Sequence, residues 1–285
     1  TGLNYDHGAQ VWCSEDGDTW QVTEPPNSLG NYHTGADGYA DSKKPVSSSI
    51  SDIAVSDVAG QPMLYAGGTG TGGPAGPGNK GSCSRMAVLT ESGWRLIVDA
   101  AVDDNDTGTN ENGFGDGMEC SMTNGNYMPW SIQQYRDRLY AGINSLGGAR
   151  VLYTPNGSPA DGSWFVSVGA GTAYPVGFDG KLVDTDNPML KGTCRNIAAN
   201  LFVFDDMLYA GAIAQKSEKA QTGTPLWKTT DGITWDLVTD NSFGQNAALA
   251  FEGFTVFKGA MYVGVNMASS SQSSGAGATI FRLAR

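Results

Sequence analysis

The chain has 285 residues, of which 40% are hydrophobic and 16% charged, so it can bury a substantial core in one large domain or two ordinary ones. Its formal net charge of −12 argues against a nucleic-acid groove or an anionic membrane surface, because both partners require clustered lysine and arginine. The forty glycines indicate many turns, and the sequence contains no apolar run long enough for a transmembrane helix.

The first predicted elements are two short strands close to the N-terminus. The sequence opens at Thr1 without a methionine or a visible signal peptide, as expected of a mature or trimmed chain. Apolar residues at 11–12 and 20–22 predict the two strands, and the polar segment 14–19 predicts a tight turn between them.

The next elements repeat a short motif, an aliphatic residue followed by Tyr, then Ala or Val, then Gly. It occurs in segments 63–67, 138–142, 207–211 and 260–264. Each copy follows an alternating apolar stretch and a turn, which together predict a hairpin. A third strand follows each copy, and the first three copies continue into a fourth strand that begins at Trp94, Trp164 or Trp235.

Four short antiparallel strands per repeat predict an all-β fold, a β-propeller of four-stranded antiparallel blades. The first unit lacks its first two strands and the last lacks its fourth, which gives about five blade units with incomplete ends. A two-sheet β-sandwich is the alternative. We expect almost no helix and a single domain over 1–285, with units at about 1–23, 50–102, 125–170, 195–240 and 251–285.

The incomplete first and last units predict exposed strand edges. Such edges recruit strands from elsewhere. We therefore expect either closure between segments 8–23 and 254–283, or self-assembly or a partner chain that covers the open edges.

Two of the predicted turns, 14–20 and 229–235, read Ser-Glu-Asp-Gly-Asp-Thr-Trp and Thr-Thr-Asp-Gly-Ile-Thr-Trp. They resemble the Asp-box of sialidases and related propellers, and the whole repeat resembles that of bacterial secreted or surface propeller proteins. The resemblance implies that Asp and Gly form the turn, that a hydroxyl closes it, and that Trp packs between blades. It implies a fold rather than an activity, because such turns are structural.

The segment 103–113 is rich in carboxylate and amide oxygens and contains a glycine for a tight turn. Calcium takes six to eight such oxygen ligands, although the spacing differs from that of an EF-hand. A solvated acidic loop is the alternative. The predicted calcium ligands are Asp103, Asp104, Asp106, Glu111 and Asp116, and Glu119 is a further candidate.

Two long loops, 24–49 and 171–193, mix aromatic and carboxylate side chains, which suits contacts with a sugar. Loops of this length in a compact domain are usually functional or disordered. The predicted ligand-binding residues are Tyr32, His33, Asp37, Tyr174 and Asp179.

The four cysteines show no metal-binding spacing, so we predict two disulfides and an oxidising compartment. Equivalent positions in successive units predict the pairs Cys13–Cys83 and Cys120–Cys194, each linking neighbouring blades.

Sequence motifs for catalysis are scarce. The two histidines, His7 and His33, fit no zinc or nucleophile motif, and the glycine-rich segment 67–74 lacks the continuation of a nucleotide loop. No haem-attachment motif is present. We therefore predict a non-catalytic extracellular or cell-surface propeller that binds a glycan or protein or builds an assembly. The alternative is a sialidase-like propeller glycoside hydrolase or lyase acting on extracellular glycans.

Overall fold

Strands account for all seventeen named elements of the described chain in a computed structural model of the protein. Among the described residues, no helix is long and apolar enough to cross a membrane. The structure describes residues 11–22, 47–70, 84–91, 93–98, 114, 128–145, 147–155, 164–169, 171–178, 180, 182, 194, 196–214, 223–267 and 277–283.

The N-terminal strands form a two-stranded sheet followed by a complete four-stranded blade. In the blade, each strand pairs antiparallel with the next in chain order. The small sheet consists of β1 (Trp12–Cys13) and β2 (Gln21–Val22). The blade consists of β3 (Ser47–Ser56), β4 (Met63–Gly70), β5 (Ser84–Thr90) and β6 (Gly93–Val98).

The next blade repeats this meander in the order β10-β9-β8-β7. A register shift between Val166 and Val168 marks a bulge in its last strand. Its strands are β7 (Met128–Tyr135), β8 (Arg138–Asn144), β9 (Arg150–Thr154) and β10 (Phe165–Val168).

The last two repeats form one seven-stranded sheet, which a single residue pair, Ile213↔Ala250, joins through β12 and β15. The four-stranded repeat consists of β11 (Asn196–Phe204), β12 (Met207–Ala214), β13 (Leu226–Thr229) and β14 (Asp236–Thr239). The final repeat consists of β15 (Ala248–Phe257), β16 (Ala260–Met267) and β17 (Ala278–Leu283).

These meanders confirm the predicted fold, an all-β propeller of four-stranded antiparallel blades with incomplete first and last units. The chain forms two compact units. One contains Thr1–Leu139 and Thr154–Trp164, and the other contains Tyr140–Tyr153 and Phe165–Arg285.

The repeated motif supplies much of the core. Its tyrosines Tyr65, Tyr140 and Tyr209 are buried. In the second unit, the buried cluster includes Phe204, Leu226, Phe251, Met261 and Val263.

The motif glycines allow neighbouring blades to approach closely. A Cβ placed on Gly67 would lie 3.0 Å from Ile132 Cδ1 and 3.1 Å from Pro129 Cβ. A Cβ on Gly211 would overlap Phe251 and lie 2.9 Å from Phe254 Cζ. We call each of these contacts, in which a motif glycine receives the first strand of the following blade, a blade joint.

The turns 14–20 and 229–235 have the same hydrogen-bond pattern. The backbone N–H groups of Asp18 and Thr19 donate to Asp16 Oδ1 over 2.8 and 2.7 Å. The matching N–H groups of residues 233 and 234 donate to Asp231 Oδ1 over 2.8 and 2.7 Å. In each turn, the predicted hydroxyl, on Ser14 or Thr229, accepts the N–H of the glycine.

The tryptophans that close the two turns have different surroundings. Trp235 is 3% exposed, and its Nε1 donates to Ser167 Oγ of the preceding blade over 2.8 Å, so it packs between blades as predicted. Trp20 is 58% exposed, and its Nε1 donates within its own turn to Gly17 O. The prediction of inter-blade packing is wrong for Trp20, whose side chain is exposed on the sheet that β1 and β2 form in the described part of the chain.

Candidate functional site

Polar side chains occupy one recurring place on the first strands of the blades, opposite the motif glycine. Asp52 pairs with Gly67 in the first blade, and Asn200 pairs with Gly211 in the blade of β11–β14. In the final repeat, the residue paired with Gly264 is Gly253, and Glu252 lies beside it at a register shift. A polar group therefore lies opposite the motif glycine at Asp52 and Asn200, and one residue before that position at Glu252.

Asp52 binds the backbone of the following blade. Its Oδ2 accepts the N–H of Ile132 over 2.6 Å, and its Oδ1 accepts the N–H of Ile53 over 2.9 Å. Burial raises the pKa of the Asp52 carboxyl, and the N–H donors of Ile132 and Ile53 oppose the rise because they favour the charged form. Asp52 is half-buried, so its carboxyl combines partial access to solvent with a raised affinity for a proton.

Neighbouring polar groups fix the Asp52 joint in place. Ser51 Oγ donates to Gly67 O over 3.1 Å and also bonds to Pro129 O. At the end of the same strand, the Asp57 N–H donates to Gln134 Oε1 over 2.9 Å, and Gln134 Nε2 bonds back to the Asp57 carboxylate. Asp52 is therefore held on a rigid strand pair, as a functional carboxyl requires.

In the second compact unit, the equivalent groups are an amide and a carboxylate. Asn200 Nδ2 donates to Glu252 O over 2.8 Å and to Phe251 O over 3.3 Å, which ties β11 to β15. The exposed carboxylate of Glu252 accepts a hydrogen bond from Asn266 Nδ2 over 3.3 Å. Glu252 is thus an accessible carboxylate with an oriented side chain.

A separate apolar groove of about 440 Å³ lies on the face of the final repeat. Phe257 packs 6.3 Å from Tyr262, and Lys258 Nζ lies 5.2 Å from the centroid of the Phe257 ring. The groove is lined by Gly253, Phe254, Thr255, Phe257, Tyr262, Gly264 and Ile280.

Tyr174 is the one predicted ligand residue that the structure describes. Its hydroxyl donates to Trp235 O and accepts the Trp235 N–H, both over 2.9 Å. Its ring lies 5.9 Å from that of Trp227. The hydroxyl therefore clamps the turn 229–235. The other predicted ligand residues, Tyr32, His33, Asp37 and Asp179, lie outside the described residues.

The predicted calcium ligands Asp103, Asp104, Asp106, Glu111 and Asp116 also lie outside the described residues, so this site stays a prediction. Within the described ranges, no group of three His, Cys, Asp or Glu side chains could hold a metal ion.

Of the predicted disulfide cysteines, Cys13 is half-buried in β1, and Cys194 is buried and forms an isolated antiparallel bridge with Leu182. Cys83 and Cys120 lie outside the described residues, so the pairs Cys13–Cys83 and Cys120–Cys194 stay predictions.

Sequence analysis missed Asp52, Asn200 and Glu252 because a polar residue in an alternating strand reads as solvent-facing. The register of Asp52 and Asn200 opposite the motif glycine, and the place of Glu252 one residue before that position, are the signal that would have identified them.

Comparisons with known proteins found no matching family model and no matching curated protein. Solved structures do resemble the chain. A GH43 beta 1,3 galactosidase matches with a TM-score of 0.44 and 11% identity over 99% of this chain and 83% of its own. The arabinanase Arb43A of Bacillus subtilis matches with a TM-score of 0.41 and 12% identity over 99% of this chain and 87% of its own. An alpha-L-arabinanase mutant of Cellvibrio cellulosa matches with a TM-score of 0.42 and 10% identity over 97% of this chain and 85% of its own.

These comparisons contradict the prediction of a non-catalytic binding or assembly module, because the similar structures are named as glycan-acting enzymes. The prediction that the chain is not an enzyme is corrected with it. At this level of identity, the likeness concerns the fold and leaves the activity to be argued from the residues of the chain itself.

Proposed function

We propose that this chain is a propeller enzyme that hydrolyses glycosidic bonds in extracellular glycans. In this proposal, the Asp52 carboxyl is the general acid that donates a proton to the leaving oxygen. The observation that supports this most is the raised pKa of a half-buried carboxyl held on a rigid first strand. Burial raises the pKa of Asp52, whereas the pKa values of the turn carboxyls Asp16 and Asp231 lie below their ordinary value.

A raised pKa suits the acid in glycoside hydrolysis. The leaving oxygen must receive a proton as the glycosidic bond breaks, and a carboxyl that stays protonated towards neutral pH can donate it. At Asp52, burial raises the pKa and so favours the protonated form, while the N–H donors of Ile53 and Ile132 hold the group in position. The position of Asp52 and its affinity for a proton thus have a common origin in the joint.

Asp52→Asn tests the role of Asp52, with Asp57→Asn as the matched control. Asp57 directly follows β3, which carries Asp52, and its N–H donates to Gln134 of β7, but its side chain is exposed. On a panel of furanoside and pyranoside substrates, we expect Asp52→Asn to lower kcat about 10²- to 10⁴-fold. Asp57→Asn should stay within about threefold of the wild type, a change worth less than about 1 kcal/mol.

The pH profile separates catalysis from folding. The rate carried by a protonated Asp52 falls as pH rises through its raised pKa, and Asp52→Asn should remove that limb. The pH profile of Glu252→Gln is measured as well, because Glu252 is the exposed carboxylate of β15. No turnover of any substrate by the wild type, or an unchanged profile in Asp52→Asn, contradicts the proposal.

The proposal extends to the location of the protein and to its relatives. An extracellular site of action, calcium bound by loop 103–116 and a relationship with Asp-box propellers are parts of it. The matching hydrogen bonds of the turns 14–20 and 229–235 support the last of these.

A further inference from the structure

The two blade joints described above follow one rule. A motif glycine faces the next blade, which inserts the side chain that lies three residues before the end of its first strand. Ile132 takes this place in β7 against Gly67, and Phe254 takes it in β15 against Gly211. Each joint thus consists of an acceptor face around a glycine and a donor side chain from the next first strand.

The final repeat carries an acceptor face that is open to solvent. A Cβ on Gly264 would meet nothing nearer than 3.7 Å, and its nearest neighbours are backbone atoms of Gly253 in the paired strand. Gly264 pairs with Ile280 on the third strand, as Gly211 pairs with Leu226. Ile280 is 72% exposed, whereas Leu226 is fully buried.

The ends of the first strands show the same contrast. Phe257 is the last residue of β15 and is 58% exposed, whereas Phe204, the last residue of β11, is 8% exposed. The groove of about 440 Å³ is therefore an open acceptor face, and the apolar residues that line it correspond to residues that are buried in a closed joint.

A matching donor face is exposed on the first blade. Ile53 lies three residues before the end of β3, the place that Ile132 occupies in β7. Ile132 is 4% exposed, whereas Ile53 is 45% and Val55 is 65% exposed. Val11 packs against Ala66 and its cluster in the same blade. Within the described residues, the preceding unit contributes β1 and β2.

We propose that the acceptor face around Gly264 forms a blade joint with a second copy of this chain, which inserts the Ile53 and Val55 side of its β3. Both halves of the joint are solvent-exposed on the same molecule, so each copy offers a donor and an acceptor. Such a contact is head-to-tail, and it produces a closed ring or an open chain of copies. Burial of these apolar side chains drives the association.

Ile53→Asp tests the donor half, and Ile233→Asp is its matched control, because both side chains are 45% exposed in the wild type. We expect the wild type to associate in sedimentation velocity between about 1 and 100 µM, the range in which moderate affinities are measured. Ile53→Asp should raise the dissociation constant at least about tenfold, whereas Ile233→Asp should leave it unchanged.

Gly264→Val tests the acceptor half. The added side chain has room within the monomer, so the variant should melt like the wild type and still fail to associate. A mixture of Ile53→Asp and Gly264→Val should form a one-to-one heterodimer, since each supplies the face that the other lacks. A wild type that stays monomeric throughout, or equal effects of Ile53→Asp and Ile233→Asp, overturns the proposal.

Discussion

The blade of β11–β14 and the final repeat of β15–β17 share one register and one motif, yet their acceptor faces differ in exposure. Gly211 and Leu226 lie against the following strand β15, whereas Gly264 and Ile280 face solvent. The turns show the same difference, because Trp235 is enclosed and Trp20 is not. The comparison shows that the repeat sequence determines the register and the residue types at a joint. The neighbouring blade determines how far these residues are buried, and so how much each one stabilises the fold.

The largest expected difference concerns the two turn tryptophans. Trp235→Ala should lower the free energy of unfolding by about 3–5 kcal/mol, because it opens a cavity beside Phe178 and removes the hydrogen bond from Trp235 Nε1 to Ser167 Oγ. Trp20→Ala should change the free energy of unfolding by less than about 0.5 kcal/mol. Urea unfolding followed by circular dichroism measures both, and equal losses would break the comparison.

The second expected difference concerns the two glycines. Gly211→Ala should destabilise the fold by about 1–3 kcal/mol, because the new Cβ overlaps Phe251 and β15 must shift. Gly264→Ala should stay within about 0.5 kcal/mol of the wild type. Thermal melts at a concentration below self-association measure both changes. A neutral Gly211→Ala would show that the joint can widen without cost.

The smallest expected difference concerns the turn carboxylates. At Asp231, burial raises the pKa, but the N–H donors of Ile233 and Thr234 together outweigh it, and the pKa lies below its ordinary value. The N–H donors of Thr19 and Asp18 lower the pKa of Asp16. Each carboxylate therefore stabilises the fold above pH 3.8, and this contribution is lost as pH falls through the lowered folded pKa.

Asp231→Asn should cost about 0.5 kcal/mol at pH 7, a small value because solvent screens the exposed group, and the difference from the wild type should vanish in acid. Denaturant melts between pH 7 and pH 2 measure this change, with Asp16→Asn as the counterpart in the N-terminal turn. A difference that grows towards low pH would show that the carboxylate does not act through its charged form.

The fold was predictable because its signal is local and repeated. The predicted strands at 11–12 and 20–22 match β1 and β2 to within one residue, and each motif copy lies in the second strand of a hairpin. Alternation and turn residues determine these elements without reference to distant parts of the chain.

The candidate site was not predictable in the same way. Asp52 acquires its properties from Ile132, which lies 80 residues later, and from the burial that the joint imposes. Tyr174 makes a second contact of this kind, because its hydroxyl bonds to Trp235, which lies 61 residues later, and the sequence pattern gives no sign of this bond. Pattern analysis identifies residue types along a strand, whereas the packing of the next blade determines their protonation and partners.

The open face around Gly264 also bears on how such chains evolve. It has the apolar composition and the register of a closed joint, so one additional repeat inserted after β17 by gene duplication would meet a surface already shaped to receive it. Because each repeat contacts mainly its neighbours, such a duplication would require few compensating mutations elsewhere. The architecture therefore permits descent with changes in repeat number, in steps of one blade.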